Sequence, residues 1–463
     1  MAILDDEVRV LLKENRNFRN VWAGESAAHF GTQLTNFLLP LVAVTTLHAS
    51  GIEVGLISAV QFIPIVLLSL IAGVVVDRHP PRRTLVITSV ARGAALALLG
   101  LAQATQGLTI TQVVVAAAVI GTATVFYEVA YQSTIPKIVP VDSIPSANGL
   151  HQATYSVSQL AGPAAAGFLV GKTGLSPTFA VAAACFAGAT LSGALLRDVK
   201  APGVPRQSAL RTIGSGLRYT WSLRPLRDLC TQAGLSNLHE QCFLTVFLIF
   251  AARELGLSGT AIGLVIGVGS VGALAGSLMA ARIGARTTVG RTLTGGVVLA
   301  AASLLLVPLV VVFDLGVVVL VALLALAFVV NGFGVALFNV FAVSLRQAIP
   351  PEHQLGAVTA SYRLVALGTL PVGAFAGGAL SDALGAGRAI WVVGVSYLCV
   401  SFWLMFSPLR SATTLEQARA LGPGGVPCPR ACARRGAPRP RSAWSRSGRL
   451  ALQPRRYSPS VSG

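Results

Sequence analysis

The chain has 463 residues, of which 54% are hydrophobic and 11% are charged, whereas soluble domains carry about 25% charged residues. A soluble globular protein of this length cannot bury so much apolar surface, so the composition excludes that class and indicates a membrane protein. The net charge of +18 is divided unevenly, because the segment from Ser411 to Gly463 holds ten arginines and one acidic residue, Glu416, and contributes half of it.

Apolar runs of the roughly 20 residues needed to cross a bilayer recur along the whole chain. Runs this long must be helices, since lipid offers the backbone no hydrogen-bond partner. The pattern predicts an all-α integral membrane protein with twelve transmembrane helices. The predicted spans cover residues 20–46, 55–76, 84–104, 110–134, 146–170, 175–196, 226–251, 258–281, 290–312, 316–345, 355–381 and 386–408.

The basic residues predict the orientation of these spans. One set of connections is rich in arginine and lysine, whereas the alternate set holds only Lys172, Arg253 and Arg388. Because positively charged loops stay in the cytoplasm, both termini are expected there, in a multi-pass protein of the cell membrane.

The longest polar interruption divides the chain into two halves. We expect a cytoplasmic linker at residues 197–225, between six-helix bundles at 20–196 and 226–408. A shift of 210 residues lays Gly167 onto Gly377. Such a repeat implies two bundles related by a pseudo-two-fold axis, with a central site between them.

The two ends of the chain are predicted to lie outside the bundles. Residues 1–19 form a cytoplasmic N-terminal segment. Residues 409–463 are rich in arginine and proline and lack helical periodicity, so we expect a disordered tail attracted to anionic lipids. Nucleic-acid binding is disfavoured, because the tail has neither a fold nor an aromatic platform for it.

Ionisable residues inside the spans are the candidates for proton coupling and transport, since charges in a bilayer are costly and usually functional. They are Glu25, Arg92, Glu128, Glu240 and Arg363, with His239 beside Glu240. Burial favours the neutral form of a carboxyl group, so such a group could take up and release a proton as water access changes.

Each candidate also has a structural interpretation. Glu128 and Arg92 could form an ion pair between neighbouring helices, and Glu25 could extend to the membrane surface. His29 and His151 could relay protons, or could be hydrogen-bonded structural residues. Cys428 and Cys432 lack a second ligand pair, so no metal site is expected.

Two glycine patterns carry a family resemblance. The segment from Ala72 to Arg83 resembles the loop between the second and third helices of major facilitator superfamily transporters. The match lies at Gly73, Asp77, Arg78, Arg82 and Arg83. The resemblance implies a latch in which Asp77, at a helix end, pairs with the loop arginines in the outward-facing state, where Gly73 allows close helix approach.

The second pattern lies in the fifth span and resembles the Gly-Pro motif of major facilitator antiporters. It comprises Gly149, Gly162, Pro163 and Gly167, with Ala166 where the motif usually has glycine. Small residues let helices approach closely, and proline bends a helix.

Further segments are similar to the branch of macrolide and enterobactin exporters. They are Phe18–Gly24, Leu39–Leu41, Val76–His79, Tyr127–Pro140 and Ala147–Asn148. The resemblance covers about residues 18–408 and implies a monomer that works by alternating access.

These observations predict a proton-coupled efflux antiporter of a hydrophobic small molecule, not an enzyme and without a cofactor. No phosphate-binding Gly-x-x-x-x-Gly-Lys-Ser/Thr motif occurs, which argues against ATP hydrolysis. An importer of a small nutrient is the alternative within transport. A non-transporting sensor or membrane enzyme is the alternative from another class.

Overall fold

The computed structural model describes residues 11–140, 143–197, 209–310 and 316–411, together with residue 417. This part of the chain is built from helices, which confirms the prediction of an all-α fold. The first six long helices are α1 (Arg16–Thr45), α2 (Gly51–Arg78), α3 (Pro81–Ala104), α4 (Ile110–Ile138), α5 (Ile144–Thr173) and α6 (Leu175–Ala194).

The first of the remaining helices lies inside the predicted linker, residues 197–225, and the others follow it. They are α7 (Ala209–Ser222), α8 (Arg224–Arg253), α9 (Gly259–Arg286), α10 (Val289–Leu304), α11 (Leu306–Val310), α12 (Val317–Ala348), α13 (Glu352–Gly368), α14 (Leu370–Leu384) and α15 (Ala386–Ser401). Two short 3-10 helices, Phe402–Phe406 and Pro408–Ser411, follow α15.

Each predicted span coincides with one of these helices or with two consecutive ones. The ninth span is divided between α10 and α11, and the eleventh between α13 and α14. The second break falls at Thr369, just before Pro371, whose ring nitrogen cannot donate a helical hydrogen bond. The Thr369 hydroxyl instead donates to the carbonyl oxygen of Gly234 at 2.9 Å, so the break is held against α8.

Within the described residues, ten helical segments are long and apolar enough to cross a membrane. α1 and α5 are not among them. Both carry polar side chains within their length, including Glu25 and His29 on α1 and His151 and Gln159 on α5. Their lower hydropathy therefore reflects polar residues that face the protein interior.

Helix starts agree with local sequence signals. Ser50 and Glu53 form a reciprocal capping box at the start of α2: the Ser50 hydroxyl accepts from the Glu53 amide, and the Glu53 carboxylate accepts from the Ser50 amide at 2.7 Å. Thr109 and Gln112 do the same for α4. These caps fix the positions at which the chain re-enters the apolar layer.

The helices form two bundles of six spans each, α1–α6 and α8–α15, where α10 with α11 and α13 with α14 each make one span. The bundles contact each other mainly through two helix pairs. α2 packs against α14, and α5 packs against α9. In each pair, the second span of one half packs against the fifth span of the other half. This is the arrangement expected for pseudo-two-fold symmetry. The predicted boundary between the bundles stays a prediction, because residues 198–208 lie outside the described part.

The amphipathic helix α7 was not predicted, since residues 197–225 read as a polar linker. Gly216 brings α7 so close to α13 that an added Cβ would overlap the backbone carbonyl of Ala357. Leu217 and Trp221 are exposed on its other side. The predicted N-terminal segment falls partly outside the described residues, as does most of the predicted tail with Cys428 and Cys432.

Candidate functional site

A cavity of about 660 Å³ lies between the two bundles. Residues of both bundles line it. The polar lining residues are Glu25, His29, Thr32, Gln33, Asn36, Gln61, Thr124, Glu128, Tyr131, Gln132, His151, Gln152, Tyr155, Gln159, Ser236, Asn237, Glu240, Asn339, Tyr362, Arg363 and Tyr397. Four of the five intramembrane ionisable residues predicted from the sequence therefore share one cavity.

Glu25 lies at the centre of a cluster formed by α1 and α5. It is 1% exposed. Its Oε1 lies 2.8 Å from His29 Nε2, one helical turn further along α1, and 3.8 Å from His151 Nδ1 on α5. α1 begins at Arg16, so Glu25 sits more than two turns inside the helix and does not extend to a membrane surface.

Aromatic rings hold the two imidazoles of this cluster. Tyr131 stacks on His151 with ring centres 5.0 Å apart, and Tyr155 meets His29 edge-on at 5.1 Å. Packing from three helices fixes the orientation of both rings. From the sequence, His29 and His151 were candidates for proton relay or for a structural role. Their position beside Glu25 could not be predicted, because helix rotation cannot be read from an apolar run.

Glu240 on α8 faces the same cavity from the other bundle. The Tyr397 hydroxyl and the Asn331 amide lie beside its carboxyl group, and its Oε2 has no hydrogen-bond partner among the described residues. Tyr397 and Asn331 were not identified from the sequence, since neither carries a charge that would mark it in an apolar run.

His239 points away from the cavity, although it is adjacent to Glu240 in sequence. Its Nδ1 lies 2.8 Å from the carbonyl oxygen of Leu235, and its Nε2 lies 3.0 Å from the Ser396 hydroxyl. Its ring stacks on Tyr397 at 5.6 Å. His239 therefore has the contacts of a structural residue that supports Tyr397.

Arg92 does not form the predicted ion pair with Glu128. No carboxylate among the described residues lies within ion-pairing distance of its guanidinium, which instead packs between aromatic rings, 4.2 Å from the centre of Tyr127 and 4.5 Å from that of Phe186. Arg92 is 1% exposed and lies outside the cavity lining. Glu128 reaches the cavity, where Arg363 is its cationic neighbour from the other bundle.

Of the motif glycines in the fifth span, Gly167 lies at the contact between the bundles. A Cβ on Gly167 would overlap the carbonyl oxygen of Gly259, and one on Gly263 would overlap that of Pro163. The Thr260 hydroxyl donates to the Gly167 carbonyl at 2.8 Å. Gly162 packs against Gln33 of α1, whereas Gly149 has nothing within 4 Å of an added Cβ.

The contact between α2 and α14 is likewise made by glycines whose backbones approach closely. Gly51 and Gly378 approach backbone to backbone, and Gly55 meets the carbonyl of Ala374. The Asp382 carboxylate accepts hydrogen bonds from the backbone amides of Gly51 and Ile52, at 2.6 and 2.8 Å. We call this end of the bundles, with Gly51, Gly167, Gly259 and Gly378, the closed end.

A third contact at the closed end joins the Arg253 guanidinium to the carbonyl oxygen of Ala49. Neither Asp382 nor Arg253 was identified from the sequence as part of a gate. Both lie near helix ends, where charged residues are common, and only the fold shows that their partners belong to the other bundle.

The predicted latch lies at the opposite end of α2. Gly73 has nothing within 4 Å of an added Cβ, so the close helix approach expected there does not occur in this conformation. Arg78, Arg82 and Arg83 are exposed. The Asp77 side chain lies outside the described part of the structure.

Comparisons with known proteins agree with the observed fold. Residues 12–423 match the model of a family described as transmembrane secretion effectors. The multidrug efflux pump Tap of Mycobacterium tuberculosis, and likewise of Mycobacterium bovis, is 25% identical over 386 residues, which cover 80% of this chain and 89% of the pump. An uncharacterised MFS-type transporter, y4rN of Sinorhizobium fredii, is 26% identical over 245 residues, covering 51% of this chain and 60% of that protein.

Solved structures share the fold at low sequence identity. A bacterial homologue of the iron transporter ferroportin in an inward-facing state superposes with a TM-score of 0.68 at 14% identity, covering 86% of this chain and 99% of that one. The nucleoside transporter NupG gives a TM-score of 0.62 at 13% identity, covering 85% of this chain and 98% of that one. At this identity the likeness establishes the architecture and leaves the cargo open.

Proposed function

The chain belongs to the transmembrane secretion effector family of major facilitator transporters, and we propose that it is a proton-coupled efflux antiporter of amphipathic small molecules. The observation that carries the proposal is the convergence of Glu25, Glu128 and Glu240 from both bundles on one cavity. The multidrug efflux activity named for the mycobacterial relatives supports the direction of transport.

The three carboxyl groups supply the proton-binding chemistry. Each comes from a different helix, α1, α4 or α8, and one cation, Arg363, lines the same space. With the carboxyl groups ionised the cavity is negatively charged, so a cationic substrate and protons compete for the same groups. Proton uptake on one side of the membrane then favours substrate release there, which is the requirement for antiport.

The walls of the cavity support a proposal for the substrate class. Apolar and aromatic residues alternate with amide side chains, among them Phe62, Phe338, Gln33, Asn237 and Asn339. Apolar walls with a few fixed polar groups are typical of sites for small amphipathic ligands. We therefore propose a hydrophobic substrate with a cationic or hydrogen-bond-donating group.

The two ends of the bundles support a mechanism of alternating access. Backbone contacts at Gly51 and Gly167 close one end, and the opposite ends of the same helices lack such contacts at Gly73 and Gly149. Lys172, Arg253 and Arg388 are the few basic residues of the closed end. By the positive-inside rule we place the closed end outside the cell and both termini in the cytoplasm, so this conformation faces inward. The transporter works as a monomer in this proposal.

Transport in inverted membrane vesicles tests the function. Cationic dyes and antibiotics are offered with an imposed proton gradient, with and without a protonophore. We expect accumulation that collapses with the protonophore and falls at least about tenfold in Glu240→Gln, while Glu14→Gln, an exposed carboxylate outside the cavity, transports normally.

Accumulation that persists in Glu240→Gln would move the coupling role to Glu128 or Glu25. Accumulation that is insensitive to the protonophore would reject proton antiport. Substrate uptake into right-side-out cells down the proton gradient would establish the importer alternative.

A further inference from the structure

The cluster of Glu25, His29 and His151 brings together donor atoms that suit a metal ion. The carboxylate oxygen and the two ring nitrogens all lie within 4.8 Å of one another. The two shorter separations, from Glu25 Oε1, are 2.8 and 3.8 Å. Tetrahedral bonds of about 2.0–2.1 Å place donor atoms about 3.3 Å apart, so small side-chain rotations would bring the three atoms onto one cation.

The polar atoms of this cluster are incompletely paired. The Tyr127 hydroxyl and the His29 ring both lie beside the Glu25 carboxylate, with His29 Nε2 2.8 Å from Oε1. His151 Nδ1 has no hydrogen-bond partner among the described residues. A proton shared between Glu25 and His29 would leave His151 Nδ1 unpaired. Because buried unpaired polar groups are destabilising, the arrangement favours a ligand that engages His151 together with Glu25 and His29.

The surroundings resemble a supported ligand shell. Glu25 and His29 lie one turn apart on α1 and so share a helix face. Tyr131 and Tyr155 fix the two imidazole rings by ring contacts, and all five side chains border the cavity. Two imidazoles and one carboxylate form a donor set of intermediate softness, which suits Zn²⁺, Ni²⁺ or Co²⁺ better than Mg²⁺ or Ca²⁺.

We propose that Glu25, His29 and His151 bind a divalent transition-metal ion whose open coordination positions face the cavity. The cargo then includes the ion itself or a small molecule that chelates it. This statement rests on the proposed function only in treating the cavity as the transport site. Equilibrium metal binding to the purified protein requires no transport and can be measured separately.

Metal binding is tested on the purified full-length protein in detergent, carrying an affinity tag without histidine and freed of metal with a chelator. Co²⁺ is titrated while its visible absorption is recorded, and Zn²⁺ binding is measured by calorimetry. We expect one ion per chain, with affinity at least about tenfold lower in His29→Ala, His151→Ala and Glu25→Gln, since outer-shell changes alone cost about 10–100-fold. His79→Gln, in the loop after α2, should bind like the wild type.

A second measurement on the wild type does not depend on how the variants fold. Pulsed electron paramagnetic resonance of bound Cu²⁺ counts coordinated imidazoles, and two are expected. Absence of stoichiometric binding, a count of zero imidazoles, or unchanged affinity in well-folded His29→Ala and His151→Ala would overturn the metal site.

Vesicle transport distinguishes the two sources of the ion. Accumulation of radioactive Zn²⁺ without additives would identify the ion as cargo, and accumulation only with 8-hydroxyquinoline would identify the chelate. Proton-driven dye efflux by a wild type that binds no metal would reject the metal site and leave the proposed function standing. Metal binding without efflux of any compound would reject the proposed function and leave the site.

Discussion

Asp382 of α14 binds the first backbone amides of α2, accepting a hydrogen bond from Gly51 at 2.6 Å across 331 residues of sequence. A carboxylate at a helix N-terminus is favoured both by the free amides and by the helix dipole. The bond joins the two bundles at the closed end, so it stabilises this conformation specifically.

Asp382→Asn should loosen the closed end. The amide oxygen lacks a full charge and cannot serve both amides, so we expect a loss of about 1 kcal/mol, or about fivefold in the local opening equilibrium, for this partly exposed contact. Hydrogen–deuterium exchange of peptides covering Gly51 and Ile52 measures it.

Glu254→Gln is the matched control for that substitution. Glu254 accepts from the Gly387 amide at 2.9 Å, near the same end, but both residues belong to the second bundle. Its loss should speed exchange around Gly387 and leave Gly51 unchanged. Equal exchange at Gly51 in wild type and Asp382→Asn would show that the carboxylate does not hold the bundles together.

Gly167→Ala should impair transport, because its Cβ would overlap the Gly259 carbonyl and push α5 from α9. Gly149→Ala on the same helix meets no atom within 4 Å in this conformation, so it should leave the closed end intact. We expect initial efflux rates in Gly167→Ala below about a tenth of those of Gly149→Ala, since backbone at such a contact cannot repack. Similar rates for the two variants would contradict this account of the closed end.

Arg92 should couple energetically to Tyr127 more than to Glu128. A buried guanidinium over an aromatic ring contributes about 1–2 kcal/mol, whereas no ion pair joins Arg92 to Glu128. Two double-mutant cycles on thermal stability measure this, Arg92→Met with Tyr127→Leu and Arg92→Met with Glu128→Gln. A larger coupling in the second cycle would restore the ion pair predicted from the sequence.

Two glycines of α7 should respond to alanine in opposite directions. Gly214 has open space around it, so Gly214→Ala should raise stability by up to about 1 kcal/mol through helix propensity. Gly216→Ala should lower stability, because its Cβ would overlap the Ala357 carbonyl on α13. Thermal unfolding of both variants in detergent checks the signs. Stabilisation by Gly216→Ala would mean that α7 does not pack on α13.

The sequence predicted the helices well because bilayer crossing imposes a length and an apolar composition that are read directly. Charged residues in apolar runs marked Glu25, Arg92, Glu128, Glu240 and Arg363 as transport candidates. All of these except Arg92 line the cavity. The contacts of these side chains could not be predicted, since they depend on helix rotation. Arg92 packs on Tyr127 and does not pair with Glu128, and His151 lies beside Glu25.

Contacts between the bundles were the hardest to predict. Gly167 belongs to a recognisable motif and was identified from the sequence as a helix-packing residue. The role of Asp382 depends on a backbone amide 331 residues away. The capping of α2 by Ser50 is local and readable, whereas its second cap, from another bundle, leaves no trace in the neighbouring sequence.

The polar faces of α1 and α5 have a consequence for how this protein is made. Neither helix is among the ten segments apolar enough to enter a bilayer on hydropathy alone, and α1 is synthesised before α2. α1 therefore depends on the capped and strongly apolar α2 to be retained in the membrane. α5 finds its close partner α9 only when synthesis has passed Gly259. The same side chains that line the cavity thus impose an order of insertion. The polar faces of α1 and α5 must be protected from lipid until the second bundle has been synthesised.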